Sequence, residues 1–439
     1  MKNSLFTYSL ATMGCKANLA DSQALEARLR KIGGAAAAEG QEADIFLLNS
    51  CTVTDQADRE AKQILRKAKA KLQIAAGCMA EVSPDALKAD STVVLRNSGK
   101  DQLESIVQNW LENESPDFLV QGDRVAWHQK ILENFQKQES LTNAKRTRAF
   151  YKVQDGCNAF CAYCVIPLAR GRSRSLPASQ IVQELQNLVE EGVNEVAITA
   201  IHAADYESEG LDFTGLIRKI LAETNVPRIR LTSLDPKEIP DALIELMMGN
   251  ARLCPHFHIS LQAAADSVLK RMKRNYGAAE IRERFQKIQQ CLPHAYVGLD
   301  LIAGFPGETD AEFAEGRDLL AELSFTKAHV FPFSVRKNTA AARMVAEGLG
   351  VPAEVIQRRA KILREISDEK FQRALQAKVG TVAEILVEEK RVKVGERNCS
   401  TGHARNFHKV IVPGIHPVNS LMRVRIVGVW KDSLKGEKL

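Results

Sequence analysis

Cys157-Asn158-Ala159-Phe160-Cys161-Ala162-Tyr163-Cys164 is a C-x-x-x-C-x-x-C run, introduced by Val153-Gln154-Asp155-Gly156 and followed by Val165-Ile166-Pro167. Thiolates are soft ligands that suit iron–sulfur clusters and zinc. A cubane cluster takes four cysteines, and a closed zinc site takes four ligands. This run offers three, so one position is left open to another molecule. Half of a zinc site is the competing reading, but zinc knuckles favour paired cysteines two to four apart.

Outward from the run, strands and helices alternate. A strand over 149–153 delivers the cysteines, and a helix follows over 177–191, with Ser175 or Leu176 near its N-cap. Strands are expected at 195–201, 228–233, 257–261, 296–302 and 327–333. Helices are expected at 214–222, 241–248 and 310–323, with another ending near 290. Six strands alternating with helices predict a partial (β/α)6 barrel, whose chemistry gathers after the carboxyl ends of the strands. The polar or Gly-rich residues at those ends are His202, Asp205, Ser233, Gln262, Gly304, Gly307 and Ser334. His256 and His258 alternate on one strand and read as polar lining of the barrel mouth. Gly304-Phe305-Pro306-Gly307-Glu308-Thr309 lacks the Lys-Ser/Thr of a phosphate loop. It reads as a tight turn that lets backbone approach a ligand.

The first third repeats a βα pattern of its own. Strands at 5–10, 43–48, 73–77 and 92–95 alternate with helices at 18–30 and 55–71 and a short one opened by Pro84. This predicts an open parallel sheet, where ligands bind at the carboxyl edge. Cys15, Cys51 and Cys78 follow three of these strands, so residues far apart in sequence would converge as a second trio of thiolates. From 99 to 145 the pattern weakens, with Trp110, Phe118, Trp127 and Phe135 scattered among polar residues; helices and a connecting segment are expected there.

The chain has 439 residues, enough for two or three domains. Its nine cysteines are an odd number, spread along the chain; this argues against a disulfide framework and for metal or catalytic use. No apolar run approaches the ~20 residues of a membrane helix, and the first residues lack a signal-peptide core, so a cytoplasmic protein with no membrane partner is expected. Over 376–439 there are 12 Lys and Arg against 6 Asp and Glu, while the remainder balances at 48 each. The whole positive excess therefore lies at the end, the footprint of a phosphate-backbone partner. There the pattern turns to strands at 381–388, 408–412 and 421–429, which fits a small five-stranded β-barrel of the oligonucleotide-binding kind. Arg391, Lys393, Arg397, Arg405, Lys409, Arg423 and Arg425 are the candidate phosphate contacts, with Phe407 as a stacking ring.

The cysteine spacing resembles the signature of the radical S-adenosylmethionine (SAM) superfamily. In that superfamily the three thiolates hold a [4Fe–4S] cluster, SAM chelates the open iron, and the aromatic before the third cysteine, here Tyr163, lies against the adenine. The chain as a whole resembles the methylthiotransferase family, whose members join a cluster-binding domain, a radical SAM barrel and an RNA-binding TRAM domain. Met13-Gly14-Cys15-Lys16-Ala17-Asn18 and Cys51-Thr52-Val53-Thr54 are similar to the MtaB branch. Ile166-Pro167-x-x-Arg170-Gly171-x-x-Arg174-Ser175, Gly304 to Thr309 and Ala341-Ala342-Arg343-Met344 agree with the family. Two stretches depart: Ala200-Ile201-His202-Ala203-Ala204-Asp205-Tyr206 stands for Gly-Ile-His-Thr-Gly-x-Tyr, and His258 to Ala265 for His-Ile-Pro-Leu-Gln-Ser-Gly-Ser.

The resemblance implies domains at 1–115 (auxiliary cluster), 146–350 (radical SAM barrel) and 377–439 (TRAM), with linkers at 116–145 and 351–376. It implies two [4Fe–4S] clusters, held by Cys15, Cys51 and Cys78 and by Cys157, Cys161 and Cys164, with Tyr163, His202, Ser233, Gln262 and Gly304 as SAM contacts. The implied reaction adds a methylthio group to C2 of N6-threonylcarbamoyladenosine at position 37 of tRNA. The aryl C–H bond is unreactive toward polar reagents, so a cofactor must supply a radical. The implied partners are the tRNA anticodon stem-loop and an electron donor such as flavodoxin or ferredoxin, with the enzyme a monomer. The MiaB type, acting on N6-isopentenyladenosine, and the RimO type, acting on a ribosomal-protein aspartate, are the alternatives; an RNA-binding protein with structural clusters is a different class.

Overall fold

The computed structural model describes residues 5–38, 40–89, 92–113 and 147–439. Phe118, Trp127, Phe135 and Lys145 therefore lie outside the described residues. Two compact units divide the chain. The first gathers Met1–Thr142, Lys152–Leu176 and Ser334–Ala342; the second gathers Asn143–Tyr151, Pro177–Phe333 and Arg343–Leu439. The C-x-x-x-C-x-x-C run thus belongs to the same unit as the amino-terminal third.

In the first unit, β1 (Phe6–Thr12), β2 (Gly34–Ala36), β3 (Ile45–Ser50), β4 (Leu72–Gly77) and β5 (Thr92–Val94) form one sheet in the order β2-β1-β3-β4-β5. All four pairings are parallel. The strand β2 was not expected, because Gly34-Ala35-Ala36 is too short to show a period. Ile45 and Leu47 pack with Leu25 and Leu29 on one face. Leu48 and Ala75 pack with Ala61 and Leu65 on the other. Burial on both faces is why these strands read as continuous apolar runs. The helix Asp55–Lys67 ends earlier than expected, because Ala68 turns extended ahead of β4.

The six expected barrel strands are all present: β6 (Ala149–Lys152), β9 (Glu195–Thr199), β10 (Arg228–Leu231), β11 (His256–Gln262), β12 (Tyr296–Ala303) and β13 (Lys327–Pro332). They form two three-stranded sheets, β10-β9-β6 and β11-β12-β13. The parallel bridges Ile229–Leu253 and Leu234–Ile259 join the two. Between β6 and β9 in sequence, β7 (Gln154–Asp155) and β8 (Arg174–Ser175) pair antiparallel in the first unit. Ser175 is held in that pair, so the next helix, Ala178–Glu190, takes Pro177 as its N-cap instead.

The segment expected as a linker does more than connect. The helix Ala353–Gln376 lies on β13, where Ser367 Oγ accepts from Ala328 N (2.8 Å) and donates to Ala328 O (3.1 Å). This satisfies backbone groups on the last strand of the sheet, which would otherwise be a free edge. Its Phe371 and Leu375 continue into the core of the carboxyl-terminal barrel, with Ile385, Val410, Val424 and Leu434. That barrel is closed by β14 (Val382–Val394), β15 (Arg397–Ala404), β16 (Lys409–Pro413), β17 (Leu421–Trp430) and β18 (Ser433–Lys438), in the order β14-β15-β16-β18-β17.

Glu195 anchors the second unit from beneath. Its carboxylate is fully buried and pairs with Arg148, with Arg228 at 2.8 Å and with Arg230 at 3.0 Å. Arg228 also donates to His403 O (3.1 Å), and Arg230 to Arg405 O (3.0 Å). These bonds seat the small barrel against the larger one. Among the described residues no helix is long and apolar enough to cross a membrane.

His408 lies in this seam at 3% exposure, its ring 5.2 Å from that of Tyr296. Burial, with Lys378 and His403 nearby, pushes its pKa down to about 3. The folded protein thus excludes a proton that the unfolded chain binds below about pH 6.5. Stability should fall from about pH 6.5 towards pH 3, by at most about 1.4 kcal/mol per pH unit from this residue. Urea titrations at stepped pH should show this slope in the wild type and a shallower one in His408→Gln.

Candidate functional site

Three adjacent strands of the first unit, β1, β3 and β4, end level with one another. Thr12 pairs with Asn49, and Ser50 with Gly77. Neighbouring strands lie about 4.8 Å apart, so the residues just beyond them are near neighbours. They are Cys15, Cys51 and Cys78, the first exposed and the other two buried. Two glycines make the approach possible. A Cβ on Gly14 (φ +87°) would fall 2.8 Å from Cys51 Sγ, and one on Gly77 (φ +94°) would fall 2.4 Å from Ser50 O.

Asn18, on the helix Lys16–Lys31, ties the three strand ends together. Its Nδ2 donates to Met13 O (2.8 Å) and Ser50 O (3.0 Å), and its Oδ1 accepts from Cys78 Sγ (3.9 Å). Asn49 Nδ2 holds the helix in turn, through Asn18 O and Ser22 Oγ. Burial, and then the neighbouring Cys78, push the Cys51 thiol up to about 12. Burial raises Cys78 as well. A metal ion would displace these protons. Three convergent thiols, two of them buried, fit a soft, multiply charged centre better than a water-filled cleft.

The second trio sits in a loop closed by the β7–β8 pair. Gly156 (φ +72°) leads in, and a Cβ there would lie 2.0 Å from Arg172 O. Gln154 Nε2 donates to Gly156 O and Ser173 Oγ, both at 2.8 Å. Two backbone amides point at sulfur: Ala159 N to Cys157 Sγ and Ile166 N to Cys164 Sγ, each 3.4 Å. Such bonds favour thiolates over thiols. Cys157 is buried; Cys161, Cys164 and Tyr163 are half-buried. Ala341 N donates to Ala162 O (2.8 Å), which explains why an Ala-Ala segment far along the chain belongs beside the loop.

The two trios are joined. Arg170, at the end of the helix Ile166–Arg170 that follows the loop, is 1% exposed. It donates to Asp155 Oδ1 (2.9 Å), Asn18 Oδ1 (2.5 Å) and Asp21 Oδ2 (2.8 Å). Lys152 bonds both Asp21 and Asp155, Lys100 pairs with Asp21 (3.1 Å), and Arg174 pairs with Asp155 (2.9 Å). These cations hold both carboxyls well below the usual range despite burial. Sequence reasoning singled out neither Asp21 nor Lys100. They are polar residues on helical segments, and nothing in their spacing marks them as facing inward.

In the second unit, His202, Ser233 and Gly304 follow the ends of β9, β10 and β12, and Gln262 is the last residue of β11. Ser233 (φ 61°) and Gln262 (φ 65°) adopt left-handed backbone, a strain that clusters at ligand sites. Burial opposes charge on His202, but Asp205, Asp235 and Glu238 outweigh it and push its pKa up to about 11. Glu238 lies 3.1 Å from His202 Nε2 and Asp205 3.1 Å from Nδ1, while Arg274 pairs with Asp235. Asp235 and Glu238 were missed, although Asp-Pro-Lys-Glu carries a legible capping box at 235–238. The departures at Ala203, Ala264 and Ala265 are buried packing positions.

Three expectations need correction. Gly304 does not open its backbone to a ligand on the side where a Cβ would stand: Ile356 Cγ1 fills that space at 2.5 Å, and Gly304 N donates to Glu308 Oε2 (3.1 Å), itself held by Arg359 (2.8 Å). His256 does not line the mouth; it begins β11 at the opposite end, its ring 4.4 Å from that of Phe407. Phe407 is not presented for stacking on a base, since it also lies 4.9 Å from the His403 ring and 4.9 Å from the Arg230 guanidinium. Arg405 pairs with Glu384 (3.6 Å) in the same seam. Arg391, Lys393, Arg397, Arg423 and Arg425 are exposed, and Lys409 is half-buried.

The model of the radical SAM superfamily matches residues 151–320, and that of uncharacterized protein family UPF0004 matches residues 7–96. The threonylcarbamoyladenosine tRNA methylthiotransferase MtaB of Bacillus subtilis is 31% identical, over 96% of this chain and 94% of its own. The tRNA-2-methylthio-N(6)-dimethylallyladenosine synthase of Anaeromyxobacter dehalogenans is 32% identical, over 97% and 92%. Among solved structures, the radical SAM methyltransferase TsrM from Kitasatospora setae aligns with a TM-score of 0.54 at 13% identity, over 78% of each chain; this likeness concerns the fold.

Asn18→Ala would leave the Met13 and Ser50 carbonyls without their donor. A buried carbonyl left unsatisfied costs about 1–3 kcal/mol. Hydrogen exchange should therefore show protection in β1 and β3 falling by roughly 2–6 kcal/mol, with the carboxyl-terminal barrel unchanged.

Proposed function

Because this chain belongs to the radical SAM methylthiotransferase family, we propose that it adds a methylthio group to C2 of N6-threonylcarbamoyladenosine at position 37 of tRNA. Its cofactors are S-adenosylmethionine and two [4Fe–4S] clusters. We assign Cys157, Cys161 and Cys164 to the SAM cluster and Cys15, Cys51 and Cys78 to the auxiliary one. When bound, the first centre with SAM supplies radical activation of a C–H bond and the second supplies sulfur. The observation that carries the reading is that both trios fall in one compact unit and share the Arg170 network. The residues around Cys15 and Cys51 favour threonylcarbamoyladenosine over the dimethylallyl substrate named for the Anaeromyxobacter relative.

The chain's own groups divide the work. Gly14, Gly77 and Asn18 bring three thiols to one sheet edge. The amides of Ala159 and Ile166 orient sulfur in the other loop. We assign His202, Ser233 and Gln262 as contacts to the carboxylate and amine of SAM, and Tyr163 as the contact to its adenine. The exposed Arg391, Lys393, Arg423 and Arg425 give the small barrel sequence-tolerant attraction to tRNA phosphates. The proposal includes a cytoplasmic monomer acting on the anticodon stem-loop, reduced by a flavodoxin or ferredoxin.

Nucleoside mass spectrometry of tRNA from a deletion strain should show loss of 2-methylthio-N6-threonylcarbamoyladenosine. Loss of the dimethylallyl derivative instead would transfer the assignment to the second substrate. Anaerobically reconstituted protein should hold about eight iron atoms, and replacement of either cysteine trio by alanine should leave about four.

A further inference from the structure

The inner face of the sheet β11-β12-β13 is polar, where barrels of this kind are ordinarily filled with branched apolar side chains. Along β11, Phe257, Ile259 and Leu261 are fully buried, while the alternate residues His258, Ser260 and Gln262 are half-buried. Gln262 ends the strand at the mouth, so His258, four residues back, lies about 13 Å below it on the same face. Asp300 on β12 and the exposed His329 on β13 are paired in register, so their side chains share a face. His258 reaches that pair, with Nε2 3.1 Å from Asp300 Oδ1 and its ring 6.0 Å from that of His329.

Gly298 makes the reach possible. It stands opposite His258 in register, and a Cβ there would press on His258 Cδ2 at 3.4 Å. The imidazole is only 19% exposed, and its Nδ1 is buried with no hydrogen-bond partner among the described residues. A buried polar atom left unpaired is costly, and it marks a place for a ligand group. With Nε2 turned to Asp300, Nδ1 accepts a hydrogen bond when the ring is neutral and donates one when it is charged. Phe331 lies two residues beyond His329, on the same face and nearer the mouth, and is 42% exposed. A flat aromatic ring open to the lumen suits a purine.

We propose that His258 and His329 are specificity-determining residues that receive the threonylcarbamoyl group of the modified adenosine inside the barrel, with Phe331 against the base. The inference rests on the substrate reading above and names the side chains that would enforce it. The threonylcarbamoyl group carries N–H and hydroxyl donors and a carboxylate acceptor, so it gives Nδ1 a partner in either state of the ring. The dimethylallyl group carries neither donor nor acceptor and would leave the imidazoles dry and unpaired. Sites built around polar groups reject such an analogue far more strongly than an apolar pocket rejects a change of size.

The test is equilibrium binding of anticodon stem-loops to the reconstituted full chain, without reductant so that no turnover occurs. Three stem-loops differ only at position 37, which carries threonylcarbamoyladenosine, dimethylallyladenosine or plain adenosine. The wild type should bind the first at least about tenfold more tightly than the second. His258→Leu and His329→Leu should each weaken the first by about fivefold or more and leave the other two within about twofold. His329→Gln, which keeps a donor and an acceptor, should retain most of the preference. Phe331→Ala should weaken both modified stem-loops alike. His329 is exposed, so His329→Leu carries the test if His258→Leu does not fold. An unmoved affinity for the first stem-loop, or an equal loss on all three, would overturn the proposal. A wild type that binds the dimethylallyl stem-loop as tightly as the first would instead sink the substrate reading itself, which separates the two failures.

Discussion

A guanidinium withdrawn from water needs acceptors, and the two terminal nitrogens of Arg170 find them on segments that sequence keeps far apart. Asp155 comes from the entrance of the cysteine loop, Asn18 and Asp21 from the helix beyond β1. Because each bond is directional and none can be exchanged for water, the geometry of the loop and that of the sheet edge are set together. Replacing such a group by apolar side chains could be neutral for stability. What it contributes is a single relative placement of two sets of thiols, which hydrophobic burial alone does not specify.

The same logic recurs in the second unit with the signs reversed. There a buried carboxylate, Glu195, gathers Arg148, Arg228 and Arg230, and two of these arginines reach on to carbonyls of the small β-barrel. This arrangement takes Arg405 and Phe407 into the seam and leaves the basic residues of β14 and β17 on the outside. The positive excess at the end of the chain therefore has two uses. Part of it holds the barrel in place, and part faces solvent, where it suits a polyanion.

At the carboxyl ends of the barrel strands the backbone itself is under constraint. Ser233 and Gln262 hold a conformation that L residues seldom adopt. Gly304 holds one for a different reason, since the helix Ala353–Gln376 presses Ile356 into the space where its side chain would be. A glycine in a barrel-mouth turn thus serves packing on one side while its neighbours serve the mouth. The imidazolium of His202 shows the same economy, because three acids and Arg274 fix its charge and its orientation together.

What the sequence determined by itself was whatever depends on local periodicity and spacing. The alternation of apolar runs and amphipathic helices marked the strands of the amino-terminal sheet and of the barrel, and cysteines placed just after strands announced their convergence, because parallel strands align their ends. The spacing 157–161–164 named the chemistry of the loop. Tertiary structure alone decided which distant side chains share a buried site. Asp21, Lys100, Asp235 and Glu238 look like ordinary surface residues in a helix or turn, and their burial follows from which faces meet. The fates of His256, Phe407 and Gly304 were decided in the same way. Each sits in a locally plausible pattern whose meaning depends on what packs against it, and packing partners are set by the whole fold rather than by neighbours in the chain.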